Sequence, residues 1–192
     1  MLLCESHEGY GALCRLLTLA HADHDKGEAG ISVEAIAAEA AGLFAVVPYE
    51  PRCPLSAAEL QCLREAFDDG GELRCALATW RHLDKDDALR IEAVRKASAQ
   101  HDIPIVASNR PLYHAREQKP LADVVHCIRL GTTLAEAGTK LAPNAEAELK
   151  GAGAMAKLFA GDPEWVEKSA AIADRCRFSL DELRYHFPSD HS

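Results

Sequence analysis

The sequence predicts an α/β fold in which mainly parallel strands alternate with helices and a helical extension follows. Three observations predict it. Short apolar runs recur along the first part of the chain: LLC at the start, LFAVVPY at 43–49, LRCALATW at 73–80 and IPIVAS at 103–108. The stretches between them carry apolar residues at helical spacing, as strands feeding crossover helices require. After Pro120 the strand-like runs stop and helical patterns continue alone.

The first run is followed by Glu8-Gly9, read as a turn, and then by YGALCRLLTLA, where Tyr10, Leu13, Leu16, Leu17 and Ala20 recur at helical spacing. Ser32 opens a second helix, VEAIAAEAAG, which Gly42 ends. LFAVVPY is apolar throughout, as a strand covered on both faces would be. Ser56 stands three residues before Glu59, the spacing of a capping box, and Gly70-Gly71 closes that helix. In DKDDALRIEAVRKASAQHD the acidic first turn suits the helix dipole, with Leu89, Val94 and Ala97 on the buried side. Beyond Pro120, the segments LADVVHCIRLG, NAEAELKGAGAMAKLFAG and PEWVEKSAAIADRC read as helices.

At 192 residues, 48% of them hydrophobic and 27% charged, the chain is long enough for one compact domain with a sizeable core. A net charge of −9 disfavours autonomous nucleic-acid binding, which needs a basic surface to neutralise phosphates. Arg110, Arg116 and Lys119 in one loop, with Arg129 just after it, form a local basic patch; such clusters are more often merely solvated. The seven cysteines are scattered, with no CxxC spacing, and read as reduced, mostly buried thiols. The short, soon polar start does not suit a signal peptide and no run of about 18 apolar residues offers a membrane span. The cytoplasm is the expected compartment.

In α/β folds, chemistry gathers in loops beyond the carboxyl ends of the strands. The loop after IPIVAS occupies that place, and of the conventional metal ligands it offers only His114, with Asn109 a weak one. Other strand ends add Glu50, and His82 with Asp84. The HADHD cluster, with His21, Asp23, His24 and Asp25, falls at a helix end where His and Asp suit the dipole and the turn better than a metal. No GxSxG elbow and no phosphate-binding glycine loop is present, and GAGAMAKL at 151–158 reads as a weak helix start or a small-residue packing face.

Three stretches together are more specific than any single motif: HEGYGALCRLLTLAH, IPIVASNRPLYHAREQKPLADVVHCIRLGTTLAEAG and PEWVEKSAAIADRCRFSLDELRYHFPSD. They resemble the amino-terminal PHP (polymerase and histidinol phosphatase) domain of bacterial error-prone DNA polymerase, a C-family enzyme akin to the alpha subunit of DNA polymerase III. The likeness spans nearly the whole chain and is weakest over 51–85. It implies a distorted, TIM-like barrel of mainly parallel strands, here incomplete. Residues 1–119 would form a partial PHP α/β domain, and 120–192 a helical extension leading toward a polymerase core.

The family's His-x-His strand and Asp-His turn would lie upstream of this sequence, so the resemblance describes an amino-terminally truncated fragment. Where metal-binding members carry Asp-x-His, the matching positions are Arg110 and Leu112. A cation there repels a divalent ion and leucine offers no lone pair. The zinc or manganese site of the family is therefore expected to be lost, leaving no catalytic residue, no metal ligand and no cofactor, although the parent polymerase would use magnesium. Glu50, Asn109, Arg110 and His114 would remain as a remnant pocket, with Arg110 paired to Glu50.

The function implied is that of a non-catalytic piece of an error-prone, translesion polymerase involved in DNA repair, whose parent performs template-directed DNA synthesis. Its partners would be the rest of the polymerase chain, DNA through the parent only, other repair proteins, and a second copy through an exposed parallel strand edge, with no membrane. Two other readings stand beside it: a stand-alone PHP phosphoesterase or 3′–5′ exonuclease, and a protein-interaction module using the helices from Leu121 onward.

Overall fold

The computed structural model describes residues 1–184. The end of the third family-like stretch, 185–190, lies outside them. The fold is α/β. Four strands, β1 (Leu2–Cys4), β2 (Leu43–Pro48), β3 (Cys75–Thr79) and β4 (Ile105–Ala107), form one sheet in the order β1-β2-β3-β4. The sheet is open and mixed. β4 runs parallel to β3 in the register Leu77↔Ile105, whereas β1 pairs antiparallel with β2 in the register Leu2↔Ala45. The parallel edge expected at the N-terminus is thus a short antiparallel one.

By its contacts the chain divides into two compact units. The first comprises Met1–Val46, Ser56–Cys75 and the chain from Ala171 onward. Here helix α1 (His7–Ala22) begins earlier than its apolar spacing indicated, because the Ser6 hydroxyl accepts a hydrogen bond from Gly9 N at 3.2 Å and caps it. Glu8-Gly9 is consequently the first turn of the helix and not a turn ahead of it. The buried stripe is Gly9, Ala12, Leu16 and Ala20, and Leu17, one position out of phase, is 53% exposed.

Helix α2 (Val33–Ala38) is capped by Ser32 and ends at Glu39, so Gly42, with φ of +66°, instead leads the chain into β2. Helix α3 (Ala57–Ala66) carries the complete Ser56–Glu59 capping box. It ends at Phe67; Gly70-Gly71 lies in the turn that follows, closed by an antiparallel bridge between Asp68 and Leu73.

The second unit comprises Val47–Leu55 and Ala76–Ala170. Helix α4 (Asp87–His101) buries Arg90, Val94 and Ala97, an i, i+4, i+7 stripe. Leu89, expected inside, is 51% exposed because Arg90 takes the inward place. A buried guanidinium needs partners. Arg90 has Asp87 at 2.7 Å, Asp84 at 3.7 Å, the Trp80 carbonyl at 3.3 Å, and the Trp80 ring centroid at 4.8 Å.

Helix α5 (Lys119–Leu130) ends on Gly131 in the left-handed conformation, and the short α6 (Leu134–Ala137) follows. The helix expected over 144–161 is confined to α7 (Ala152–Leu158), with Gly151 at its start. Its first part, NAEAELK, is a non-helical strap of bends and a turn leading to an isolated bridge between Glu148 and Tyr113, and it is hydrogen-bonded to the loop beyond β4. α8 (Pro163–Arg175) matches the last expected helix. Buried Asp162 accepts from Arg81 at 3.3 Å and also from Arg95, anchoring the turn ahead of α8.

All seven cysteines are free thiols, and they differ in environment. Burial pushes the Cys75 thiol up to about 12, so it stays protonated, and Cys127 is buried as well, whereas Cys14 and Cys53 are exposed. Native-state alkylation followed by peptide mass mapping is expected to label Cys14 and Cys53 first and Cys75 only after denaturation. Early labelling of Cys75 would contradict this placement of β3.

Candidate functional site

The loop after β4 opens on a groove of about 900 Å³ within the second unit. Backbone geometry aims its residues. Arg110 has φ of +44°, a left-handed conformation that disfavours any residue with a Cβ, and its N–H donates to Ser108 Oγ at 3.0 Å. This kink turns the Arg110 side chain over the Trp80 ring, 4.8 Å from its centroid.

Asn109, immediately before the kink, points inward and is buried. Its side-chain amide donates to the Glu146 carbonyl at 2.8 Å and to the Glu148 carbonyl, and its backbone carbonyl oxygen lies 2.8 Å from His82 Nε2. The strap is further stitched by Leu112 N–H to the Ala147 carbonyl at 2.8 Å and by Leu149 N–H to the Tyr113 carbonyl at 2.9 Å. Asn144 donates to the His82 carbonyl at 2.7 Å.

Of the four remnant-pocket candidates, Glu50, Arg110 and His114 line the groove together, as does Leu112. Asn109 does not; it is a clamp on the strap. The expected Arg110–Glu50 ion pair is absent among the described residues. The indole face is the partner Arg110 finds instead.

His82 is spent on Asn109 and Asp84 on Arg90. His21 and His24 belong to the first unit, where His21 Nδ1 lies 3.2 Å from the Glu28 carbonyl. Among the described residues no three His, Cys, Asp or Glu side chains are grouped so as to hold a metal ion.

The carboxylates nearest the loop, Glu146 and Glu148, are each shared by two cations. Lys150 Nζ reaches Glu146 at 2.8 Å and Glu148 at 3.0 Å, while Arg116 reaches them at 2.9 and 3.3 Å. The hydrogen bond from Lys150 holds the Glu146 carboxyl below the ordinary glutamate range; partial burial opposes this and Arg116 adds to it. A depressed folded-state value means that the stabilisation is complete above the unfolded value of 4.5 and is lost as pH falls below it. Glu146→Gln is therefore expected to flatten the acid limb of the stability profile while lowering stability at neutral pH, as read by urea unfolding across that range. An unchanged acid limb would contradict the assignment.

The sequence does not mark Trp80, Glu146, Lys150 or, apart from Arg129, the groove face of α5. That face contributes Leu121, Ala122, Val125, His126 and Arg129, and Lys140 and Leu141 follow from the chain after α6. Trp80 was legible as the last residue of an apolar run, and nothing in its spacing marked it as a platform for two arginines.

No family model matches the chain. Curated proteins do. It is 36% identical over 197 residues to the error-prone DNA polymerase of Anaeromyxobacter dehalogenans (strain 2CP-1), covering 98% of this chain and 16% of that protein. The error-prone DNA polymerase of Rhodopseudomonas palustris (strain BisB5) is 36% identical over 183 residues, 94% of this chain and 16% of its own length. Error-prone DNA polymerase 1 of Agrobacterium fabrum is 34% identical over 183 residues, again 16% of its length. The chain thus spans about one-sixth of the relatives it matches. Along nearly all of its own length, this chain is similar to one part of proteins named error-prone DNA polymerase.

Proposed function

We propose that the chain is a non-catalytic, PHP-type region of an error-prone DNA polymerase, acting in the cytoplasm as a brace for the polymerase body. Template-directed DNA synthesis with magnesium, translesion copying in DNA repair, and any DNA contact belong to the whole enzyme. Within the region, 1–119 is the partial barrel and 120–192 the helical extension.

The observation that carries this reading is the donor set of the groove. The resemblance puts ligands at 110 and 112, yet Arg110 and Leu112 stand there, with the Arg110 guanidinium over Trp80. The other donors of the groove do not compensate: Asp123 is held by Lys119 at 2.5 Å, and Glu50, His114 and His126 are not grouped as a metal-holding set among the described residues. A zinc or manganese ion needs several lone pairs and net negative charge, and these residues do not fit it. No hydrolytic step is therefore derived through a metal.

The test is metal analysis of protein purified with zinc and manganese present, paired with turnover of a phosphomonoester and of single-stranded DNA from its 3′ end. Metal well below one ion per chain and no turnover are expected. Stoichiometric metal, with activity lost on His114→Ala, would establish the phosphoesterase reading in its place. No helix among the described residues is long and apolar enough to cross a membrane.

A further inference from the structure

We infer that the groove beside α5 docks an acidic, amphipathic peptide helix of a partner protein. This deepens the non-catalytic reading, since it gives the groove a use that needs no metal. Two features of the wall point to the occupant. Leu121 and Val125, one turn apart on α5, both line the groove and are 59% and 57% exposed, with Leu141 contributing further apolar surface. Aliphatic residues left this open along one helix face are what a helix laid in a groove uses as anchor pockets.

Charge supplies the second feature. Arg129 stands one turn beyond Val125, and Arg110 and Lys140 also line the groove. These three form no ion pair among the described residues, whereas Lys119 is held by Asp123 at 2.5 Å. Glu50 is the carboxylate set against them. In a chain of net charge −9, this is a local reversal of sign, and it selects an occupant bearing carboxylates beside its apolar anchors.

Size agrees: about 900 Å³ is far more than an ion requires, and α5 with its 12 residues is about 18 Å long, enough to accompany about three turns of a partner helix. Nucleic acid is less well served. Single strands bind by phosphate neutralisation with bases stacked on aromatic rings. The groove offers bases little to stack on, since Tyr113 is its one aromatic side chain other than histidine.

The full chain is to be panned against a random library of displayed peptides about four helical turns long, and the enriched peptides measured by fluorescence anisotropy. The expected result is enrichment of sequences with Leu, Ile or Phe at i and i+3 or i+4 flanked by Asp or Glu. Val125→Asp should weaken their binding by about tenfold or more, and Arg129→Glu should abolish the preference for acidic over lysine-substituted versions, with both variants folded by circular dichroism. No enrichment, enrichment of basic peptides, or binding indifferent to both substitutions would overturn the inference. So would oligothymidine binding that is lost in the same variants. The metal and turnover assays fail independently: stoichiometric zinc would remove the non-catalytic reading and leave the peptide result standing.

Discussion

Trp80→Ala is expected to lower the stability of the second unit by about 3–5 kcal/mol, the cost of truncating a large buried aromatic side chain. Trp80 is 3% exposed, so its ring leaves a cavity rather than a solvated notch. The loss does not stop at apolar contact. Both Arg90 and Arg110 lie 4.8 Å from the ring centroid, and Arg90 is itself buried. Arg90 keeps Asp87 and Asp84, so its charge remains paired, but its planar face loses the ring. Arg110 has no such reserve and should leave its present place at the groove wall.

Calorimetry should show Tm lowered by about 6–20 °C, at about 2–4 °C per kcal/mol for a chain of this size. Trp80→Phe should recover most of the loss, because it restores a buried aromatic face. A Trp80→Ala variant within about 1 kcal/mol of the wild type would show that the ring supports nothing. Arg110→Ala should cost only about 0.5–1 kcal/mol, since its guanidinium is at the surface.

How far the sequence foretold this site depends on which kind of signal each residue gives. The alternation of apolar runs with capped helices located all four strands, and the Ser56–Glu59 box formed as its spacing required. Residues 43–46 are buried throughout, as an unbroken apolar run predicts. The groove was legible only in its loop: Glu50, Arg110 and His114 were placed by following strand ends, and they do meet.

Non-local pairing hid the remainder. Asn109 looks like a weak ligand until the carbonyls of Glu146 and Glu148 are brought to its amide. NAEAELK has helix-forming composition, yet hydrogen bonds to Asn109, Leu112 and Tyr113 hold it out of the helix, a tertiary override of local propensity. Leu89 and Arg90 show the same limit at a single turn. Hydrophobicity alone assigns the leucine inward, and only the ring of Trp80 with the carboxylates of Asp84 and Asp87 makes burial of the arginine favourable.

Gly9→Ala is expected to destabilise the first unit by about 3 kcal/mol, the upper end of the usual cost of overpacking. In an exposed helix the same substitution would stabilise, since alanine is the better helix former by about 1 kcal/mol. Here the sign reverses because of what lies opposite. A Cβ on Gly9 would stand 1.8 Å from the Gly42 carbonyl oxygen and 2.5 Å from its carbon. Both are backbone atoms that no rotamer change can remove.

Gly42 is fixed from its own side. Its φ is +66°, its carbonyl accepts from Glu5 N–H at 2.9 Å, and a Cβ there would meet Ser6 Oγ at 2.3 Å. To admit one methyl group, α1 must lift away from the chain entering β2. That movement would strain the Ser6 cap and the bond that joins Glu5 to Gly42. Chemical denaturation of Gly9→Ala, with Gly11→Ala as the control, separates the two effects. Gly11 lies in the same helix with only an arginine tip at 3.4 Å from its added Cβ, so its substitution should be neutral or stabilising. Equal stability of the two variants would mean that the close approach of α1 to Gly42 is not a feature of the folded chain.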